Sequence, residues 1–214
     1  MSLSRHWQAV LVAALAAAPY VGSLDGGFHY DDEHALEQNP HIRQLASIPR
    51  FFVDASLFSG EPAMAMYRPL LSTTFALNYA ATGYDTWSWH LVNVLLHAAA
   101  AVGVLFLLRA LVPSAALFGA AVFAVHPAQS QAVNYLSSRS EVLAMALVLW
   151  SLVAWLSRRP WPATGLLAGA LLTKSAAVVW WPLALLVSWV RLRSRWPDLR
   201  AWAAPAAVTI AYLG

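Results

Sequence analysis

Cysteine is absent from the 214 residues, which excludes disulfides, cysteine-ligated zinc and thiol catalysis. The absence does not fix a compartment, because a membrane protein can face an oxidising space without bridging. Charge is also scarce, at 11% of residues against about 25% in an ordinary soluble domain. The hydrophobic residues, 60% of the chain, fall in long runs and not in the short periodic patches that close a soluble core. A soluble globule is thereby excluded and a multi-span membrane protein expected. Basic residues outnumber acids 13 to 10, and all but Lys174 are Arg. No basic block stands beside an aromatic platform, so nucleic acid is set aside as a partner.

A helix needs about 20 residues to cross about 30 Å of hydrocarbon. The uncharged stretches place spans at about 7–24, 87–109, 114–126, 142–157, 160–173, 175–190 and 201–214. The first could also be a cleaved signal peptide, but the apolar remainder favours a retained anchor. The pair 160–173 and 175–190, divided only by Lys174, is short and reads as a hairpin whose tip stops inside the membrane against other protein. The last run ends at Gly214 after fourteen residues, as an unfinished seventh span would, so 1–214 is read as one N-terminal membrane domain of a longer protein.

Placing Arg and Lys on the cytoplasmic side sets the orientation. With the N-terminus inside, Arg5, Arg109, Arg158, Arg159, Arg191, Arg193, Arg195 and Arg200 fall inside, and nine of the ten acids fall outside, leaving Asp198 within. Outer loop 25–86 is then the largest aqueous feature. Within it, Pro69 opens an expected interfacial helix to Gly83, and Leu45, Ile48, Phe51, Phe52, Leu57 and Phe58 recur as in a second amphipathic helix on the outer leaflet.

Three clusters carry possible chemistry. Phe28-His29-Tyr30-Asp31-Asp32-Glu33-His34 pairs two carboxylates close to the membrane surface, where mutual repulsion and low dielectric raise one pKa and make it a proton acceptor. A solvated acidic loop would have the same composition. Asp31 and Asp32 with His29 or His34 could also hold Mn or Mg. His90, Asn93 and His97 share one face of the second span, as cavity lining or as helix-to-helix hydrogen bonding, with His90 and Asn93 the better placed for a ligand. The run from His126 to Glu141 supplies Arg139, whose planar fork suits phosphate but which could equally snorkel to an interface. Glu141 could orient Arg139 or pair with it. Lys174, the lone lysine, reads as an anion site. A polyprenyl tail in the bilayer, its phosphate on Arg139, Lys174 or His126, and an acceptor hydroxyl giving its proton to a carboxylate would together suit an enzyme that handles a lipid-linked anionic donor.

The sequence also resembles a known family. Tyr30-Asp31-Asp32 with Asn39, Tyr67-Arg68-Pro69-Leu70 with Leu77-Asn78-Tyr79, His90 to His97, Phe123 to Pro127 with Ala132-Val133-Asn134, Ser138-Arg139-Ser140-Glu141, and Thr173-Lys174-Ser175 with Pro182 are similar to the membrane part of the transmembrane and tetratricopeptide repeat (TMTC) O-mannosyltransferase-like proteins. Ser175 stands where an acidic residue is common in that family. The resemblance implies an all-α, multi-pass GT-C glycosyltransferase fold, a polyprenyl-phosphate sugar donor, a protein or glycan acceptor, and a first-loop Asp, Asp31 or Asp32 here, as catalytic base. His126, Arg139, Glu141, Lys174, His90, Asn93 and Arg68 are then the expected substrate-binding residues. Arg usage and alanine richness point to a bacterial inner membrane. A non-enzymatic carrier or flippase for lipid-linked saccharides would use the same cations but no carboxylate base.

Overall fold

The computed structural model describes residues 5–191 and 199–214; Arg193, Arg195 and Asp198 of the charge count lie outside them. Among the described residues every regular element is helical. Helix α1 (Arg5–Ala17) runs into a 3₁₀ turn at Ala18–Ser23, and α2 (Ile48–Phe51) is a single turn inside the long segment that follows. Pro69 opens α3 (Pro69–Thr82) at its first position, where its missing N–H is no loss. Gly83, at φ 61°, ends α3 in a backbone state that other residues resist.

Next come α4 (Thr86–Leu111), α5 (Ala116–Val125), the short α6 (Gln129–Asn134) and α7 (Arg139–Leu156). The remaining helices are α8 (Pro160–Leu171), α9 (Trp180–Arg191) and α10 (Leu199–Leu213). Among the described residues, α4 and α7 alone are long and apolar enough to cross a membrane by length and composition.

Cross-contacts fix the helix directions. Arg109 Nη2, near the end of α4, donates to Gln8 Oε1 in α1 at 2.6 Å, while His90 Nε2 near its start lies 3.2 Å from Gly26 O, so α1 and α4 are antiparallel. Asn93 meets Arg139, and Trp150 Nε1 donates to Ala99 O at 2.9 Å, so α4 and α7 are parallel, and α5, between them in the chain, packs against α1 and α4. Ser151 Oγ bonds Ala163 O, which turns α8 back against α7. One end of the bundle therefore gathers residues 24–34, the start of α4, the α6–α7 link and Lys174; the other gathers Arg109, Arg158 and Arg159.

Three of the five apolar cores among the described residues bear on the site. Small residues, among them Ala16, Ala101, Ala116, Ala120 and Ala124, let α1, α4 and α5 pack closely. Trp155, Trp180 and their neighbours, with Trp202 against both, fill the space among α7, α8, α9 and α10. The third core corrects an expectation. Residues 45–58 do not form one amphipathic helix: they break into a 3₁₀ turn at Leu45–Ser47, α2, and a 3₁₀ turn at Ala55–Phe58 whose Asp54 carboxylate accepts from Ser56 N at 3.0 Å. Phe51, Leu57 and Phe58 bury themselves against Leu71, Phe75 and Trp89, so their apolar side faces α3 and the start of α4.

Candidate functional site

The two neighbouring carboxylates have opposite surroundings. Tyr30 sits at φ 50°, and this left-handed kink separates the directions of the residues around it. Asp32 is buried, its Oδ2 accepting from His29 N at 3.0 Å and its Oδ1 from Ser137 N at 2.6 Å. Burial raises its pKa above the ordinary 3.8, against the opposing pull of those two amides. The Asp31 side chain stays 68% exposed, with Oδ1 3.8 Å from His34 Nε2. Its backbone N–H donates to Tyr135 Oη at 2.6 Å. Asp31 is thus the accessible carboxylate, and Asp32 is the anchor that fixes the loop to the α6–α7 link.

Arg139 departs from the phosphate role expected for it. It is fully buried, and its Nε donates to Asn93 Oδ1 at 2.9 Å, Nη2 to Asn78 Oδ1 at 2.8 Å and to Trp89 O at 3.1 Å, and Nη1 to Thr74 O at 3.4 Å. The rings of Phe75 and Trp89 lie 5.0 and 5.3 Å from the guanidinium carbon. Buried, and with four of its five N–H donors on protein acceptors, this guanidinium ties α3, α4 and α7 together.

Asn93 is likewise structural, its Nδ2 donating to Val133 O at 3.2 Å and Tyr135 O at 3.4 Å. His90 is buried against Gly26, and His126 is exposed, its Nδ1 accepting from Ala128 N at 3.2 Å within its own turn. None of the three is among the described residues that line the cavity holding Lys174.

His97, passed over in favour of His90 and Asn93, does line one: a cavity of about 310 Å³ walled by Phe123, Gln129, Gln131, Ser138, Glu141 and Met145 among others. Glu141 does not pair with Arg139. It forms an ion pair with Lys174, so Lys174 is not a lone cation. Arg68, whose guanidinium carbon lies 5.5 Å from the Phe58 ring centre, feels the Glu141 charge; burial lowers its pKa below the ordinary arginine value, and Glu141 opposes the shift. Among the described residues no three His, Asp or Glu side chains converge as a metal-holding group, and the Asp32 oxygens that a metal would need are taken by amides.

The chain is 38% identical over 154 residues to protein O-mannosyl-transferase Tmtc1 of Drosophila melanogaster, a match covering 69% of this chain and 17% of that protein. It is 32% identical over 173 residues to protein O-mannosyl-transferase TMTC2 of Mus musculus (73% and 21%) and 30% identical over 181 residues to TMTC2 of Homo sapiens (78% and 21%). The chain is a TMTC homologue. It spans about a fifth of the length of these curated relatives. No family model and no solved structure matches it.

Within this TMTC homologue, the segment Tyr135–Glu141 is what joins the predicted site residues. Tyr135 holds Asp31, Ser137 holds Asp32, Ser138 and Glu141 wall the cavity, Arg139 anchors the segment, and Glu141 meets Lys174. Sequence reasoning missed Tyr135 and Ser137 as partners of the acidic pair. They lie in a polar run that stands out, but their partners are 104 and 105 residues earlier, and no local pattern encodes that pairing.

Proposed function

We propose that this chain is the N-terminal membrane part of an inverting GT-C glycosyltransferase, with its N-terminus cytoplasmic, that moves a sugar from a polyprenyl-phosphate donor to an acceptor hydroxyl on the extracytoplasmic face. Mannose is the favoured sugar, because the relatives are named protein O-mannosyl-transferases. The observation that carries the proposal is the Tyr135–Glu141 segment, which holds an accessible carboxylate at one end and a cation beside cavities at the other.

In the proposed reaction the acceptor oxygen attacks the anomeric carbon, and the bond from that carbon to the phosphate oxygen breaks. The hydroxyl proton passes to Asp31, and the polyprenyl phosphate leaves with the electron pair, its charge met by Lys174. Asp32 positions Asp31 without touching substrate. Arg68 is a second cation near the phosphate, whereas Arg139, Asn93 and His90 serve as framework.

The test is transfer from labelled polyprenyl-phosphate mannose to a threonine peptide, using membranes that carry the protein at full length. Asp31→Asn is expected to lower transfer by about 10²–10⁴-fold, the usual worth of a general base, with donor binding kept. Transfer at the parental rate by both Asp31→Asn and Asp32→Asn would remove the base and leave the carrier reading in its place.

A further inference from the structure

Glu141 and Lys174 meet where two cavities adjoin. On one side lies the 310 Å³ cavity, whose polar walls come from Gln129, Gln131 and Ser138. On the other lies a cavity of about 290 Å³, apolar along Val148, Val179 and Leu183, with Lys174 in its lining. Glu141 and Met145 belong to both, so the ion pair stands in the partition between them. Deepening the lipid-phosphate donor reading, on which it rests, we propose that Glu141 is a resident competitor: it occupies Lys174 until a phosphate-headed apolar chain in the second cavity displaces it, and its departure joins the two cavities into one site.

The pair is built unequally. The Lys174 side chain is 23% exposed and that of Glu141 51%, so the cation is the more fixed partner and the carboxylate the freer one. A partly exposed ion pair is worth no more than about fivefold in an equilibrium constant. A phosphate monoester, the form in which the polyprenyl phosphate leaves, carries more charge than a carboxylate and three acceptor oxygens, so it outcompetes Glu141 for an ammonium at the mouth of an apolar cavity.

The displaced carboxylate is not stranded. Arg68 already lies within electrostatic reach of Glu141, and the amides of Gln129 and Gln131 line the cavity into which it turns. Until a ligand arrives, Glu141 keeps the Lys174 charge compensated, as a cation facing apolar walls requires.

The proposal reverses the usual sign of a binding-site mutation. Tritiated farnesyl phosphate is titrated onto the detergent-solubilised full-length protein, with unlabelled farnesol and inorganic phosphate as competitors to separate the contributions of chain and head. Glu141→Gln is expected to bind about fivefold more tightly than the parent, as loss of a partly exposed pair allows, and Glu141→Ala should shift the same way. Lys174→Gln should bind at least tenfold more weakly, and the double variant should be as weak as Lys174→Gln. Gel filtration and unfolding midpoints check that each variant is folded. Unchanged or weaker binding by Glu141→Gln, with Lys174→Gln still impaired, overturns the competitor and leaves the donor reading intact. Binding indifferent to Lys174, or absent in the parent, overturns both.

Discussion

Asp32 and Arg139 show how burial divides duties between residues that look alike in sequence. Because the Asp32 pKa is raised by burial, the folded state holds its proton more tightly than the unfolded state does. Its stabilising contribution is therefore full below the ordinary pKa of 3.8 and is lost as pH rises through the higher folded value. Measured as unfolding midpoints, the parent's advantage over Asp32→Asn is expected to shrink as pH climbs through that window; a growing advantage would contradict the assignment. For Arg139, truncation to Ala leaves Asn93, Asn78 and the Trp89 carbonyl short of a buried donor, an expected loss of about 3 kcal/mol. Arg139→Lys should recover little of it, since one ammonium cannot span the fork. Sequence alone marks Arg139 as unusual at membrane depth, but it does not reveal that the partners are neutral acceptors on α3 and α4 and not a phosphate. Asp31 and Asp32 were likewise legible as a pair, while the choice between them depended on a kink at Tyr30 and on amides contributed from far along the chain.

At the level of elements, the helices of the apolar stretches could be read closely because their ends carry local signals: Pro69 and Pro160 open α3 and α8, and Gly83 closes α3. The segment at 45–58 could not, because an apolar stripe fits a bilayer and a protein core equally well and only packing decides. Its attachment to the rest of the loop depends on a close approach at Gly60, where a Cβ would stand 2.4 Å from Gln38 O. Gly60→Ala is accordingly expected to loosen residues 33–61 while leaving the helical bundle folded. Limited proteolysis should then cut in that loop, with helix content by circular dichroism unchanged. Cleavage no faster than in the parent would show that the contact is easily relaxed.

For the molecule as a whole, the bundle gathers the acidic loop and Lys174 at one end and Arg109, Arg158 and Arg159 at the other, the separation on which the proposed membrane orientation rests. Cysteine introduced at the exposed Val53 should react with an impermeant maleimide from the extracytoplasmic side, and cysteine at the exposed Ser157 only after permeabilisation; the reverse pattern would invert the proposed topology. Asn78, Trp89 and Asn93, which receive the Arg139 fork, all precede it in the chain. During synthesis from the N-terminus, α3 and α4 therefore emerge before the arginine to which they offer hydrogen-bond acceptors, so α7 meets acceptors already made. A circular permutant that begins at Arg139 would reverse this order and deliver the guanidinium before the acceptors that receive it.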